Sequence, residues 1–184
     1  MPIKFNVIIA KRNRTKEFET CLHYLNLANE GNKHDVNINI TSDSDEIISL
    51  PEEYLNLGVH TFYLEVSGPF NKSKLLNHSI EKMRLDFDAL TVVDIDMVYV
   101  PEFFNNMVDY LSKNDYIVST GFKLKPQGTE VLKNTLPSFE VIKNMENEEF
   151  LVGPSQITIK NSCYKLFIDL FGAPLYNINY RGWG

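Results

Sequence analysis

Thr91-Val92-Val93-Asp94-Ile95-Asp96-Met97 is the stretch on which the predicted fold depends. Its β-branched start is typical of a buried strand, and two carboxylates one residue apart follow directly. Buried unpaired charges are costly, so packing alone does not explain this pair. In an open α/β sheet, ligands bind at the carboxyl ends of strands, where Asp94 and Asp96 would offer oxygen ligands to a hard divalent cation. A turn with two solvated aspartates would give the same tripeptide, because short motifs recur by chance.

The composition predicts one globular domain over residues 1–184. Of the 184 residues, 43% are hydrophobic and 23% charged, which is enough to build a sizeable core. The net charge of −6 argues against nucleic acid as a partner, because a phosphate backbone attracts a basic face. A nucleotide ligand stays open, since it needs only a local basic cluster.

The cysteines and the N-terminal sequence bear on location. The two cysteines, Cys21 and Cys163, lie among apolar residues and predict neither a disulfide framework nor a thiolate metal site. The sequence shows no signal peptide and no membrane-spanning run. We therefore expect a reducing, cytoplasmic setting.

Strand and helix patterns alternate along the chain. Apolar runs and alternations predict strands at 4–9, 36–40, 62–66, 90–93, 116–119 and 156–159. Apolar residues at helical spacing predict helices at 15–30, 75–83, 101–111 and 161–170, the last capped by Asn161. Residues 123–150 are polar and contain proline and glycine, which predicts an irregular excursion over the sheet. This alternation predicts an α/β fold with a mostly parallel sheet and helices on both faces.

Charged or small residues follow each of the first four predicted strands: Lys11, Arg12 and Arg14; Asp43; Ser67 and Gly68; and Asp94 and Asp96. In a doubly wound sheet these ends converge on one crevice. A cationic cluster, a carboxylate for base or ribose donors, a close-approach glycine and a carboxylate pair for metal would suit a nucleoside diphosphate. A solvated turn is the alternative for the two arginines. No dinucleotide or phosphate-loop glycine motif follows the first strand.

Trp183, the only tryptophan, lies between Gly182 and Gly184. Structural tryptophans usually lie inside strands or helices. A tryptophan between glycines is more typical of an exposed platform on which the C–H face of a sugar ring packs. The sequence thus favours a sugar-binding role over a structural one.

Four blocks resemble the β-1,4-galactosyltransferases, in the same order. Val-Ile-Ile-Ala-Lys-Arg-Asn-Arg at 7–14 is similar to their Ile-Ile-Pro-Phe-Arg-Asn-Arg opening, and Phe-Asn-Lys-Ser-Lys-Leu-Leu-Asn at 70–77 to their Phe-Asn-Arg-Ala-Lys-Leu-Leu-Asn segment. Val-Asp-Ile-Asp-Met at 93–97 resembles their Asp-Val-Asp metal motif, and Gly-Trp-Gly at 182–184 the start of their Gly-Trp-Gly-Gly-Glu-Asp motif. Bacterial chondroitin-polymerase-like transferases share a similar pattern. The wider group is the Rossmann-like GT-A fold of nucleotide-diphospho-sugar transferases.

The resemblance implies roles by position. Arg12 and Arg14 would contact the uridine diphosphate, and Phe70 and Lys72 would lie near the nucleotide. Asp94 would lie at the ribose or the metal, and Asp96 would ligate Mn²⁺ or Mg²⁺. Lys123 would contact the donor. Gly182 and Trp183 would bind the acceptor sugar, and Trp183 could instead touch the donor phosphate.

The implied activity is metal-dependent, inverting transfer of galactose or N-acetylgalactosamine from a UDP-sugar to a glycan acceptor. Two features depart from the family pattern. Ala10-Lys11 replaces its Pro-Phe, and the sequence ends at Gly184, before the acidic pair. We therefore expect the catalytic base beyond Gly184, so that the domain is cut short at its C-terminal catalytic motif. A sugar nucleotidyltransferase and a non-catalytic nucleotide- or sugar-binding module remain as alternatives.

Overall fold

The computed structural model describes residues 2–30, 34–44, 57–119, 122–151, 156–172 and 176. The described strands are β1 (Lys4–Lys11), β2 (Asp35–Ser42), β3 (Gly58–Tyr63), β4 (Ala89–Val93), β5 (Tyr116–Ser119), β6 (Phe122–Leu124), β7 (Asn147–Leu151) and β8 (Gln156–Lys160). The described helices are α1 (Thr15–Asn29), α2 (Lys72–Lys82), α3 (Phe103–Leu111), α4 (Pro126–Asn134), α5 (Phe139–Lys143) and α6 (Asn161–Phe171).

Six strands form the main sheet, in the order β3-β2-β1-β4-β8-β5. β1 pairs in parallel with β2 and β4, and β2 in parallel with β3. β8 runs antiparallel between β4 and β5. The carboxyl ends of the first four strands therefore share one edge of the sheet, as the sequence predicts.

Helices cover both faces of this sheet, as predicted. On one face, α1 and α3 pack on Phe5, Val7 and Ile9 of β1. On the other, α2 and Tyr164 of α6 pack on Ile8 of the same strand. A strand covered on both sides has no polar face, which is why apolar residues predominate in β1 and β4.

α1 is an amphipathic helix whose buried side includes Phe18, Cys21, Leu22 and Leu25. Its apolar residues recur at the helical period, so one side faces the sheet and the other faces solvent. At 15 residues it is the longest described helix. None of the helices in the described ranges is both long enough and apolar enough to cross a bilayer.

The third strand lies earlier than the alternation of Phe62, Leu64 and Val66 predicts. β3 ends at Tyr63, because its partner β2 ends at Ser42 and offers no further ladder. The Leu64 amide donates one last hydrogen bond to the Ser42 carbonyl, at 3.0 Å. Leu64 and Val66 still pack against the core beside α2, so the alternation marked a buried extended segment rather than a strand.

The prediction of an irregular excursion over 123–150 was wrong. β6 and β7 pair there as a two-stranded antiparallel sheet, with α4 and α5 between them. Pro126 starts α4, where a fixed φ and a missing N–H cost nothing. The predicted cap by Asn161 was also wrong: Lys160 is the N-cap of α6, and Asn161 Nδ2 donates to the Phe87 carbonyl at 2.6 Å.

Candidate functional site

Two groups of charged side chains lie at the carboxyl edge of the sheet. The buried cluster consists of Arg12, Asp43 and Phe70, together with the main chain at 66–68. The open cluster consists of two ion pairs, Arg14 with Asp96 and Lys72 with Asp94. β1 lies between β2 and β4 in the sheet, so the turn after β1 supplies one arginine to each cluster.

Arg12 joins three segments in the buried cluster. Its Nη1 donates to the Gly68 carbonyl at 2.9 Å, and its Nη2 to the Val66 carbonyl at 3.2 Å. Nη2 also forms an ion pair with Asp43 Oδ2, at the end of β2. The guanidinium lies 5.7 Å from the centre of the Phe70 ring, within cation–π range. Arg12 thus acts as a cross-link between β1, β2 and the segment leading into α2.

Asp43 is buried but only partly satisfied. Its side chain has 0% exposure, against 24% for that of Arg12. Neither carboxylate oxygen makes a well-aligned hydrogen bond within the described residues, although Oδ2 touches Arg12. A buried acceptor without a donor costs about 1–3 kcal/mol.

The open cluster is more exposed and more simply bonded. Arg14 Nη1 lies 2.7 Å from Asp96 Oδ2, and their side chains are 57% and 49% exposed. Lys72 Nζ pairs with Asp94 Oδ1 at intermediate exposure. Exposed pairs of this kind contribute about 0–1 kcal/mol, so they can exchange partners readily.

Two buried side chains hold the main chain of Asp94 in place. Its carbonyl accepts from Tyr99 Oη at 3.3 Å and from Cys21 Sγ at 3.8 Å. Burial, with the negative charge of Asp94 nearby, raises the pKa of the Tyr99 phenol and of the Cys21 thiol well above their ordinary values. Both groups are therefore neutral donors that hold the end of β4 in place.

The turn that carries the two arginines is strained. Asn13 and Arg14 have φ of 52° and 53°, in the left-handed region. For a residue with a Cβ this conformation costs roughly 1–2 kcal/mol. Arg14 is also the N-cap of α1 and caps no amide with its side chain. Such strain is concentrated at functional sites, where the surrounding structure holds it.

Most of the predicted site residues meet at this edge, namely Arg12, Arg14, Asp43, Phe70, Lys72, Asp94 and Asp96. Lys123 lies in β6 of the smaller sheet, and its side chain is not among those described. Gly182 and Trp183 lie outside the described residues. The sequence reasoning overlooked Asn77, a buried polar residue on the apolar face of α2 that binds Tyr176. Its place among buried leucines was the available signal.

No protein-family model matches the sequence, and a search of curated proteins finds no match. Solved structures do match. A 4-diphosphocytidyl-2C-methyl-D-erythritol synthase from Anaerococcus prevotii gives a TM-score of 0.55 at 10% identity, covering 97% of this chain and 79% of the other. The mannosyltransferase PcManGT from Pyrobaculum calidifontis, in complex with GDP-Man and Mn²⁺, gives 0.55 at 14% identity, covering 95% and 48%. S. aureus TarS 1-349, also solved in complex with UDP, gives 0.54 at 16% identity, covering 89% and 48%.

This chain has the GT-A fold. The six-stranded, mostly parallel sheet with helices on both faces superposes on the two transferases with TM-scores of 0.54 and 0.55. The identities are too low to transfer a substrate. The chain spans about half the length of each of these two transferase chains.

A divalent cation fits Asp94 and Asp96 on the chemistry of their donors. No group of three or more His, Cys, Asp or Glu side chains in the described part of the chain could hold a metal ion. Mg²⁺-like ions, however, are commonly held by one or two carboxylates together with substrate phosphates. The Asp96 carboxylate is half exposed, so it is accessible to such an ion.

Proposed function

We propose that this chain is the donor-binding part of a metal-dependent glycosyltransferase that moves galactose or N-acetylgalactosamine from a UDP-sugar to a glycan acceptor, with inversion. The observation that supports it is the pair of clusters at one edge of a GT-A sheet. One offers a buried carboxylate and an aromatic ring, and the other offers cations and carboxylates open to solvent. The first set of groups suits the nucleoside of a nucleoside diphosphate, and the second suits its diphosphate and a bound cation.

The nucleoside end of the donor is assigned to the buried cluster. Asp43 Oδ1 has no hydrogen-bond partner among the described residues, and it suits a base N–H or a ribose hydroxyl. Phe70 is half-buried beside the Arg12 guanidinium and offers a flat apolar surface. The Arg12 guanidinium pairs with Asp43 and donates to the carbonyls of Val66 and Gly68, and it therefore holds Asp43 and this main-chain segment in position. Its predicted diphosphate contact remains a prediction.

The diphosphate is assigned to the open cluster. Arg14 and Lys72 now pair with Asp96 and Asp94. In the donor complex the two cations would turn to phosphate oxygens, and the two carboxylates would hold Mn²⁺ or Mg²⁺. When bound, such an ion supplies Lewis-acid neutralisation of the leaving diphosphate.

The acceptor side of the proposal rests on the family resemblance. Trp183 and Gly182 would contact the acceptor sugar or the donor phosphate, and Lys123 the donor. A carboxylate would deprotonate the acceptor hydroxyl, a contribution of typically 10²–10⁴-fold in rate.

A sugar nucleotidyltransferase is the second candidate. The 4-diphosphocytidyl-2C-methyl-D-erythritol synthase from A. prevotii matches over most of both chains. Such an enzyme joins a nucleoside triphosphate to a sugar phosphate and releases pyrophosphate. The turn after β1 has no glycine and contains strained non-glycine residues instead, which favours the glycosyltransferase.

Calorimetry and product assays separate the candidates. UDP is titrated into the protein with Mn²⁺ or with EDTA, and uridine serves as the control ligand. We expect UDP to bind, and to bind more tightly with Mn²⁺ than with EDTA. Sugar transfer from UDP-galactose or UDP-N-acetylgalactosamine to saccharide acceptors would support transfer. Pyrophosphate release from a nucleoside triphosphate and a sugar phosphate would favour the second candidate, and binding of UDP without either product would leave a binding module.

A further inference from the structure

Asn77 on α2 binds both polar groups of one distant peptide position. Its Nδ2 donates to the Tyr176 carbonyl at 2.8 Å, and its Oδ1 accepts from the Tyr176 amide at 3.0 Å. The two residues are 99 positions apart. One carboxamide side chain therefore satisfies both the amide and the carbonyl of a residue that follows α6.

Asn77 lies on the helix that begins at Lys72. Lys72, which pairs with Asp94, starts the same helix five positions earlier, about 7.5 Å along its axis. The Tyr176 side chain packs against the apolar cluster that contains Val92, near the end of β4, and Phe70 of the buried cluster packs against the same apolar cluster. Burial and, second, the charge of Asp94 raise the pKa of the Tyr176 phenol to about 12, so its hydroxyl is neutral at physiological pH.

A carboxamide is an unfavourable side chain to bury at a position with a purely structural role. Asn77 is 6% exposed, among Leu75, Leu76 and Ile80 on the buried face of α2. A buried carboxamide must find partners, whereas a leucine would pack there without them. Its partners, the amide and the carbonyl of Tyr176, tie the segment after α6 to the helix that begins at Lys72.

We propose that Asn77 is a positioning residue, which holds Tyr176 against α2 so that its side chain forms the wall of the donor site next to Asp94. Without this anchor Tyr176 leaves the wall, and the diphosphate and cation lose part of their enclosure. The proposal rests on the proposed function, because it takes UDP with Mn²⁺ as the ligand.

The test compares two asparagines that each donate to a distant carbonyl. Asn77→Leu removes the anchor. Asn161→Leu removes a 2.6 Å hydrogen bond to the Phe87 carbonyl, before β4 begins and so at the opposite edge of the sheet. Urea denaturation gives the stability of each variant, hydrogen exchange reports on the Tyr176 amide, and calorimetry gives UDP affinity with Mn²⁺ and with EDTA. Tyr176→Ala repeats the test without altering α2.

We expect Asn77→Leu to lose protection at the Tyr176 amide and at least about tenfold in Mn²⁺-dependent UDP affinity. Tyr176→Ala should lose the same affinity, and decides the matter if Asn77→Leu does not fold. Asn161→Leu should lose stability and keep UDP affinity within about twofold. If the Asn77 and Tyr176 variants bind UDP like the wild type, the positioning role is overturned while the proposed function stands. If the wild type itself does not bind UDP with Mn²⁺, the proposed function fails and the inference with it.

Discussion

Arg12 and Arg14 are two positions apart in one turn, but they differ in burial and in the number of groups that they bind. Arg12 reaches a fully buried carboxylate and two main-chain carbonyls. Arg14 reaches one half-exposed carboxylate and is itself more than half exposed. The first arginine is committed to the fold, and the second can change partner at little cost. Residue type and position in a motif do not separate these roles, but the surroundings do.

The largest expected effect separates the two clusters by stability. Arg12→Met leaves Asp43 as a buried charge without its cation, and should lower the free energy of unfolding by about 3–5 kcal/mol. Arg14→Met breaks only an exposed pair and should cost at most about 1 kcal/mol. Urea denaturation measures both. Equal losses in the two variants would contradict the division into a buried and an open cluster.

The second effect concerns the open cluster alone. Asp96→Asn removes a charged ligand from the proposed cation site and should weaken Mn²⁺-dependent UDP binding about 100-fold, or roughly 2.7 kcal/mol. The fold should remain intact, because this carboxylate is half exposed. Asp115→Asn is the control, since Asp115 is also exposed and pairs with Lys160 at 3.1 Å. Calorimetry with UDP and Mn²⁺ measures the effect. An unchanged UDP affinity in Asp96→Asn would show that Asp96 is not a ligand of the cation.

A third effect distinguishes the diphosphate from the nucleoside. Arg14→Met should weaken UDP about tenfold, because a charge-assisted hydrogen bond contributes about 1.5–3 kcal/mol, and should leave uridine unaffected. Asp43→Asn should weaken uridine and UDP alike, because its proposed partner is the base or the ribose. Titrations of both ligands into both variants give the four affinities. The assignment of the two clusters is wrong if Arg14→Met weakens uridine as much as UDP.

The smallest effect lies in the turn between the clusters. Asn13 has φ of 52°, which asparagine tolerates better than most residues. Asn13→Ala should therefore cost about 1 kcal/mol, whereas Asn13→Gly should be close to neutral, since glycine adopts positive φ freely. Thermal or urea unfolding measures the difference. A more stable alanine variant would mean that the turn is not strained in solution.

The sequence predicted what depends on local periodicity and on strand ends. Asp94 and Asp96 follow an apolar strand, so their place at the sheet edge was foreseeable. The bonds of Arg12 were not, because its partners Val66 and Gly68 lie 54 and 56 positions away and are main-chain groups. Any residue type presents the same carbonyl, so no pattern records such a contact. The same holds for Asn77, whose partner is again main chain.

The insertion of β8 between β4 and β5 also constrains how the chain folds. β4 takes its outer hydrogen bonds from Gln156–Lys160, which pair with Val93 through Ala89. Until those residues arrive, β4 presents an apolar edge of unpaired amides and carbonyls, the kind of edge that invites aggregation. Pairing between strands that are distant in sequence is slow, because the entropy of closing a large loop is lost before the stabilising contacts form. We therefore expect protection of the β4 amides in pulsed hydrogen exchange to follow that of β1 and β2. During synthesis the nascent sheet would have its greatest need of a chaperone in the interval before residue 156 emerges.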